Sequence, residues 1–148
     1  MEDFVLRHAE NDDDLRACFP VMRQLRPHLL DEVDFSQRLR RMASEHYHLL
    51  AVWKGSTPLA LAGYRLQENL IYGRFLYVDD LVSAAGHRGR QFGARLLAEL
   101  RQVAARENCE KLVLDTGLSN ALAQRFYFRQ GLLTEAVRFA STLAKDNE

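Results

Sequence analysis

Three short stretches combine residue types and spacings that could do chemistry. The first is His87-Arg88-Gly89-Arg90-Gln91-Phe92-Gly93-Ala94, set between a β-rich run and a long amphipathic run. A strand-to-helix turn presents backbone N–H groups that have no helical partner. Glycine lets backbone approach an anion closely, the helix dipole favours negative charge, and Arg88 and Arg90 add positive charge, so the turn suits a diphosphate. The second stretch runs from Asn120 through Phe126, Tyr127 and Phe128 to Gly131, an amphipathic helix with a glycine stop. Three successive helical residues cannot share one side, and the tyrosine is the one whose hydroxyl needs water or a partner. In the third, Tyr77-Val78-Asp79-Asp80-Leu81-Val82, two carboxylates interrupt an apolar strand. Adjacent strand residues face opposite sides, so only one of Asp79 and Asp80 is expected in a given cleft. Taken singly, each stretch also has a bland reading: an ordinary turn, an aromatic core helix, a pair of solvated acids.

The elements that position these stretches follow from periodicity. Phe4, Leu6 and His8 alternate with Val5 and Arg7 as a first strand. The Asn11 to Asp14 run supplies a cap and first-turn negative charge for a helix that carries Leu15, Cys18, Phe19, Met22 and Leu25 and stops by Pro27. A second helix is predicted after Asp34, whose spacing to Gln37 resembles a capping box. Tyr47 to Trp53 and Pro58 to Leu66 read as a hairpin around Lys54 to Thr57, with Tyr72 to Val82 continuing the meander. A long helix is expected from about Arg90, a short strand from Lys111 to Asp115 and a helix from about Asn120 to Gln130. Two last strands are expected around Leu132 to Glu135 and Val137 to Leu143. The order implies an α/β (α+β) fold: one domain over residues 1–148, a mixed, mostly antiparallel sheet of about six to seven strands, and helices on both faces.

Composition removes several classes of function. Lys plus Arg and Asp plus Glu both total 20, so a nucleic-acid binder relying on positive excess has no support. The acidic start Met1-Glu2-Asp3 and the short apolar stretch Leu49 to Trp53 predict no signal segment and no membrane span, hence a cytoplasmic protein. Cys18 and Cys109 are far apart and lack metal-ligand spacing; no neighbouring histidine pattern activates Cys109. His46 and His48 could share a strand face, but two histidines do not complete a metal site.

Together, in this order and spacing, the three stretches resemble the GNAT superfamily of acyl-CoA-dependent N-acetyltransferases, most specifically from Arg74 to Gly131. The family's pyrophosphate pattern (Arg or Gln, two residues, Gly, one residue, Gly or Ala) falls on Arg88, Gln91 and Gly93, so Gln91 stands where the family usually has glycine. The family's later Asn, Ala and Tyr fall on Asn120, Ala123 and Tyr127, while Leu132 replaces a frequent Phe. The strand Leu76 to Leu81 also resembles that of polyamine and other small-amine acetyltransferases.

The resemblance implies acetyl-CoA as cosubstrate, no metal, and direct transfer of acetyl to a primary amine within a ternary complex. Cofactor contacts are expected from Leu81, Val82, Arg88, Gly89, Arg90, Gln91, Phe92, Gly93, Ala94, Asn120, Ala123 and Tyr127. Asp79 is the preferred base, directly or through water, with Asp80 as its rival; either could instead attract a cationic acceptor. Backbone N–H near Leu81 is implied as the oxyanion donor. Tyr127 is implied as the acid for the leaving thiolate, and its ordinary pKa of about 10 lies near that of a thiol, about 8.5. The partners expected are acetyl-CoA and an amine, with no nucleic acid and no membrane and with room for a homodimer. A peptide or protein amine, or a non-catalytic acyl-CoA-binding or protein-interaction module on the same fold, are the alternatives.

Overall fold

The computed structural model describes residues 3–88 and 91–145. They fall into two compact units, Met1–Leu114 and Asp115–Glu148. The first unit contains β1 (Val5–His8), α1 (Asp12–Leu25), α2 (Glu32–Ala43), β2 (Tyr47–Lys54), β3 (Thr57–Asn69), β4 (Gly73–Ser83), α3 (Phe92–Arg106) and β5 (Lys111–Leu114). The second contains α4 (Ala121–Arg129).

The five strands form one sheet in sequence order, antiparallel from β1 to β4 and parallel between β4 and β5. The mixed, mostly antiparallel character is as expected, but the strand number is not. Leu132–Glu135 and Val137–Leu143 are irregular rather than extended in a sheet. Their alternating apolar residues resemble strands, but a strand exists only where a partner accepts its ladder hydrogen bonds, a requirement that periodicity does not encode.

Pleat alternation divides the core into two. Tyr47, Leu49, Ala51, Trp53 and Leu61 pack with Leu15, Cys18, Phe19 and Met22 of α1 and Phe35 of α2. Leu50, Val52, Ala60, Ala62, Leu76 and Val78 face the other way, against Phe92, Leu96, Leu100 and Val103 of α3. The alternation of small and large residues in β2 and β3 suits strands covered on both faces, which read as continuous apolar runs. Cys18 is fully buried, and burial pushes its thiol up to about 12, which keeps it protonated and inert.

Helix starts follow side-chain chemistry. Asn11 accepts from the Asp14 amide at 2.8 Å, as the acidic run predicts. In α2 the cap is Asp31, not Asp34: Asp31 accepts from the Asp34 amide at 2.8 Å, while the Asp34 carboxylate reaches back to the Leu30 amide at 3.0 Å. These bonds begin the helix three residues earlier than expected: Asp31 caps the Asp34 amide, and the Asp34 side chain ties down the residue before the cap.

On the α3 side of the sheet, His8 and Tyr64 share a 2.7 Å hydrogen bond, and the His48 ring stacks on Tyr64 with centroids 5.3 Å apart. Burial depresses the pKa of both histidines. A depressed folded-state value means that the unfolded chain binds the proton more readily, so stability is complete above the ordinary value of about 6.5 and declines as pH falls below it. The expected result is a thermal midpoint that drops between pH 7 and pH 5, with a shallower drop in His8→Gln. Equal slopes in thermal unfolding at several pH values would remove His8 from this dependence.

Candidate functional site

The acidic stretch lies on β4, and β4 is bulged there. Gly63 pairs with Asp80 and Tyr64 with Val78, so Asp79 is the extra residue. The bulge resets the pleat. Leu76 and Val78 face α3, whereas Val82, also even-numbered, packs on the α1–α2 side. Asp79 and Asp80 consequently both reach partners on that side, which corrects the expectation that the pleat must separate them. Asp79 pairs with Arg65 Nε at 3.0 Å, and Arg65 lies 3.5 Å from Glu45. Asp80 accepts from Tyr47 Oη at 2.7 Å and from Arg26 Nε at 2.9 Å. Tyr47 and Arg65 are cross-strand neighbours on β2 and β3.

The two aspartates therefore differ. Asp80 is buried and tied to two donors. Asp79 is half-buried, and burial raises its pKa against the opposing pull of the Arg65 guanidinium. A carboxylate so raised is a better proton acceptor than an ordinary aspartate. Sequence reasoning missed Arg26, Arg65 and Tyr47. The signal was present in part, since adjacent acids in an apolar strand require donors, but the chain has 20 Lys and Arg residues and no local pattern selects among them.

Beyond the bulge, β4 has a free edge within the sheet. β5 pairs only with Phe75–Val78, leaving 79–83 without a parallel strand partner. Leu81 and Val82 lie in this segment, which exits through Ser83 into the turn before α3. Arg88 is exposed in that turn, while Gly89 and Arg90 lie outside the described residues. Phe92, Gly93 and Ala94 form the first turn of α3. The Phe92 side chain is core, edge-on to Phe4 at 5.1 Å, so what it offers the turn is its backbone N–H.

α1, α2 and α4 all begin with a side chain accepting a first-turn amide, but α3 has no such bond. Among the described residues no side chain caps its N-terminal amides, and its first turn holds no carboxylate, so this helix end suits an anion. Gln91, the departure from glycine, has φ 62° and ψ 23°, the left-handed region. Such a backbone costs a residue with a Cβ about 1 kcal/mol relative to glycine. Gln91→Gly is therefore expected to leave stability unchanged or raise it by up to about 0.6 kcal/mol, after allowance for the greater entropy of the unfolded glycine chain. Thermal unfolding checks this, and a lowered midpoint would show that the glutamine side chain makes a stabilising contact.

Asn120, Ala123 and Tyr127 come together on α4 in the second unit. Asn120 Oδ1 accepts from the Ala123 amide at 3.1 Å, and Gln124 Nε2 ties the preceding loop through the Gly117 and Leu118 carbonyls at 3.2 and 2.9 Å. Tyr127 sits edge-on to Phe126 at 5.5 Å, and burial raises its pKa. The helix closes with Gly131 at φ 86° and the Leu132 amide donating to the Tyr127 carbonyl at 3.0 Å.

Residues 9–132 match the model of the acetyltransferase (GNAT) family. The chain belongs to that family and is an N-acetyltransferase whose cosubstrate is acetyl-CoA. It is 27% identical over 136 residues to the uncharacterized N-acetyltransferase YhdJ of Bacillus subtilis, covering 90% of this chain and 95% of that one. It is 31% identical over 121 residues to glucosamine 6-phosphate N-acetyltransferase 1 of Oryza sativa subsp. japonica, covering 77% and 73%. In fold it is similar to the aminoglycoside acetyltransferase AAC(6')-Iy in complex with a bisubstrate analog, with TM-score 0.81, 16% identity and coverage of 96% and 99%. Among the described residues no cluster of three or more His, Cys, Asp or Glu side chains is arranged to hold a metal ion, and no helix is long and apolar enough to cross a membrane.

Proposed function

We propose that this protein transfers the acetyl group of acetyl-CoA to a primary amine by direct attack, with both reactants held in one ternary complex. The observation that carries the reading is the β4 bulge, which joins a half-buried carboxylate of raised pKa to a strand edge that β5 does not pair. In this reading the first-turn amides of Phe92, Gly93 and Ala94 hold the diphosphate, with Arg88 and the adjoining Gly89, Arg90 and Gln91. The free edge at Leu81 and Val82 receives the acyl arm, and the amide near Leu81 donates to the carbonyl oxygen as negative charge develops there.

An alkylammonium of pKa near about 10 has no lone pair, so the acceptor must lose a proton first. Asp79 takes it, directly or through water. Asp80, with both oxygens engaged by Arg26 and Tyr47, acts on the bulge rather than on the amine. The amine nitrogen then bonds to the thioester carbon, the carbon–sulfur bond breaks, and the Tyr127 hydroxyl gives the departing sulfur its proton; the nitrogen's remaining surplus proton passes through water to the tyrosinate, and Asp79 releases its own to solvent. Asn120 and Ala123 place the tyrosine by fixing the first turn of α4. The family match runs from the first unit into the second, which supports one catalytic domain over the chain. A cytoplasmic setting suits an enzyme that draws on acetyl-CoA.

Two of the similar proteins are named for acceptors that are amino sugars or carry them, glucosamine 6-phosphate and aminoglycosides, and these support amino sugars as first candidates. The test is incubation with acetyl-CoA and a panel of amino sugars, polyamines, aminoglycosides and peptides, with products identified by mass. An N-acetylated small amine is expected. Asp79→Asn is expected to lower transfer by about 100-fold while thermal unfolding shifts little, because Arg65 keeps Glu45 as a partner. A silent Asp79→Asn would remove the carboxylate from proton transfer. In the native enzyme the rate should fall as pH drops through the raised Asp79 value.

A further inference from the structure

A bulge leaves a backbone carbonyl outside the ladder, and in a protein interior such a group needs a donor. At Asp79 the donor is a side chain from another element: Arg26 Nη2 lies 2.8 Å from the Asp79 carbonyl oxygen. The same guanidinium pairs with Asp80 Oδ1 at 2.8 Å. Arg26 is the residue immediately after α1, and its own amide closes that helix on the Met22 carbonyl at 2.8 Å. One side chain thus engages two consecutive residues of β4, the backbone of the first and the carboxylate of the second. The Tyr47 hydroxyl completes Asp80 from β2, and Gly63 leaves the space in which these groups meet.

We propose that Arg26 is a positioning residue for acetyl transfer, holding the β4 bulge so that the free edge from Asp79 to Val82 keeps its orientation; this rests on the transferase reading above. Without the guanidinium, the Asp79 carbonyl and the Asp80 carboxylate both lose a donor. The strand can recover ladder bonds only by shifting register, which turns the following residues to the opposite face. Leu81 and Val82 would then present different atoms along the edge. The planar fork matters as well as the charge. A lysine ammonium can neutralise Asp80, but as a compact point charge it does not span the carboxylate and the neighbouring carbonyl in one fixed geometry.

The test compares the wild type with Arg26→Lys and with the double variant Arg26→Met, Asp80→Asn, which removes the buried charge together with its partner and so retains the fold. In both variants kcat is expected to fall by about 10- to 100-fold, the scale of a reacting group misplaced by about 1 Å, while KM for acetyl-CoA changes by less than about 3-fold. Amide hydrogen exchange at residues 79–82 is expected to quicken by at least about 10-fold in both, with exchange in α3 unchanged. Native kcat in Arg26→Lys, or activity loss accounted for by the fraction unfolded, overturns the proposal. If the wild type acetylates no amine, the transferase reading fails, and the exchange measurement still decides: unchanged protection at 79–82 in Arg26→Lys overturns the positioning role.

Discussion

Tyr127→Phe is expected to bind acetyl-CoA nearly as the native protein does and to unfold at nearly the same temperature, while acetyl transfer falls by about 100-fold or more. The substitution removes one oxygen and keeps the ring, and so keeps the edge-on contact with Phe126 and the packing of α4. None of the described residues hydrogen-bonds the Tyr127 hydroxyl, so its loss strands no buried partner, and the usual stability cost of such a deletion does not arise. What is lost is a proton donor. Burial raises the hydroxyl pKa above its ordinary value of about 10, so the donor form is fully present at neutral pH. A positioned acid contributes about 10²- to 10⁴-fold, which sets the expected loss. The same direction of shift predicts that a fall in rate caused by ionisation of this group begins only above about pH 10. The measurement is single-turnover transfer to an acceptor identified by mass, paired with acetyl-CoA affinity and thermal unfolding. A stable, acetyl-CoA-binding Tyr127→Phe protein with native transfer would remove the hydroxyl from the reaction.

The largest effect on stability is expected from Gly63→Ala. A Cβ at this position would lie 1.8 Å from Tyr47 Oη, 2.6 Å from Tyr47 Cζ and 2.7 Å from Asp80 Oδ2. All three distances are below van der Waals contact, and none of the atoms can retreat at small cost. The Tyr47 ring is buried, and its hydroxyl donates to the same Asp80 oxygen. Moving either side chain leaves Asp80 with fewer donors in a buried place, so overpacking and loss of charge satisfaction add together. The expected cost is about 3 kcal/mol or more, or roughly 10 °C in the thermal midpoint for a domain of this size. Gly55→Ala provides the contrast, since a Cβ there meets nothing within 4 Å and the cost is confined to its backbone φ of 61°. Denaturant and thermal unfolding of the two variants check the difference. A Gly63→Ala protein of native stability would mean that Tyr47 and Asp80 can separate without penalty.

Much of the fold was legible because its signals are local. The apolar runs of β2 and β3, the stripe Phe92, Leu96, Leu100 and Val103, and the Asn11 and Asn120 caps each depend on residues within a few positions of one another. Side-chain period and capping chemistry act over that distance, so the helices and the meander could be placed to within a few residues. The turn before α3 and the Asn120, Ala123, Tyr127 spacing were legible for the same reason. Where two local solutions compete, the sequence was less decisive. Asp31 and Asp34 can both cap a helix, and the bonds that Asp31 accepts from the Asp34 amide and Asp34 from the Leu30 amide chose the first.

Only the tertiary structure decided the electrostatics of β4. Arg26, Tyr47, Arg65 and the aspartates at 79 and 80 come from four elements, and three sequence separations of 14 to 54 residues divide their hydrogen-bonded pairs. No periodicity links residues so far apart. The bulge itself is a disagreement in register between two strands and is a property of neither sequence alone. A pleat read from β4 by itself sends Asp79 and Asp80 to opposite faces; the extra residue opposite Gly63 and Tyr64 brings both to one. The sequence determined that two acids would interrupt an apolar strand, and the pairing of that strand with β3 determined which donors they meet.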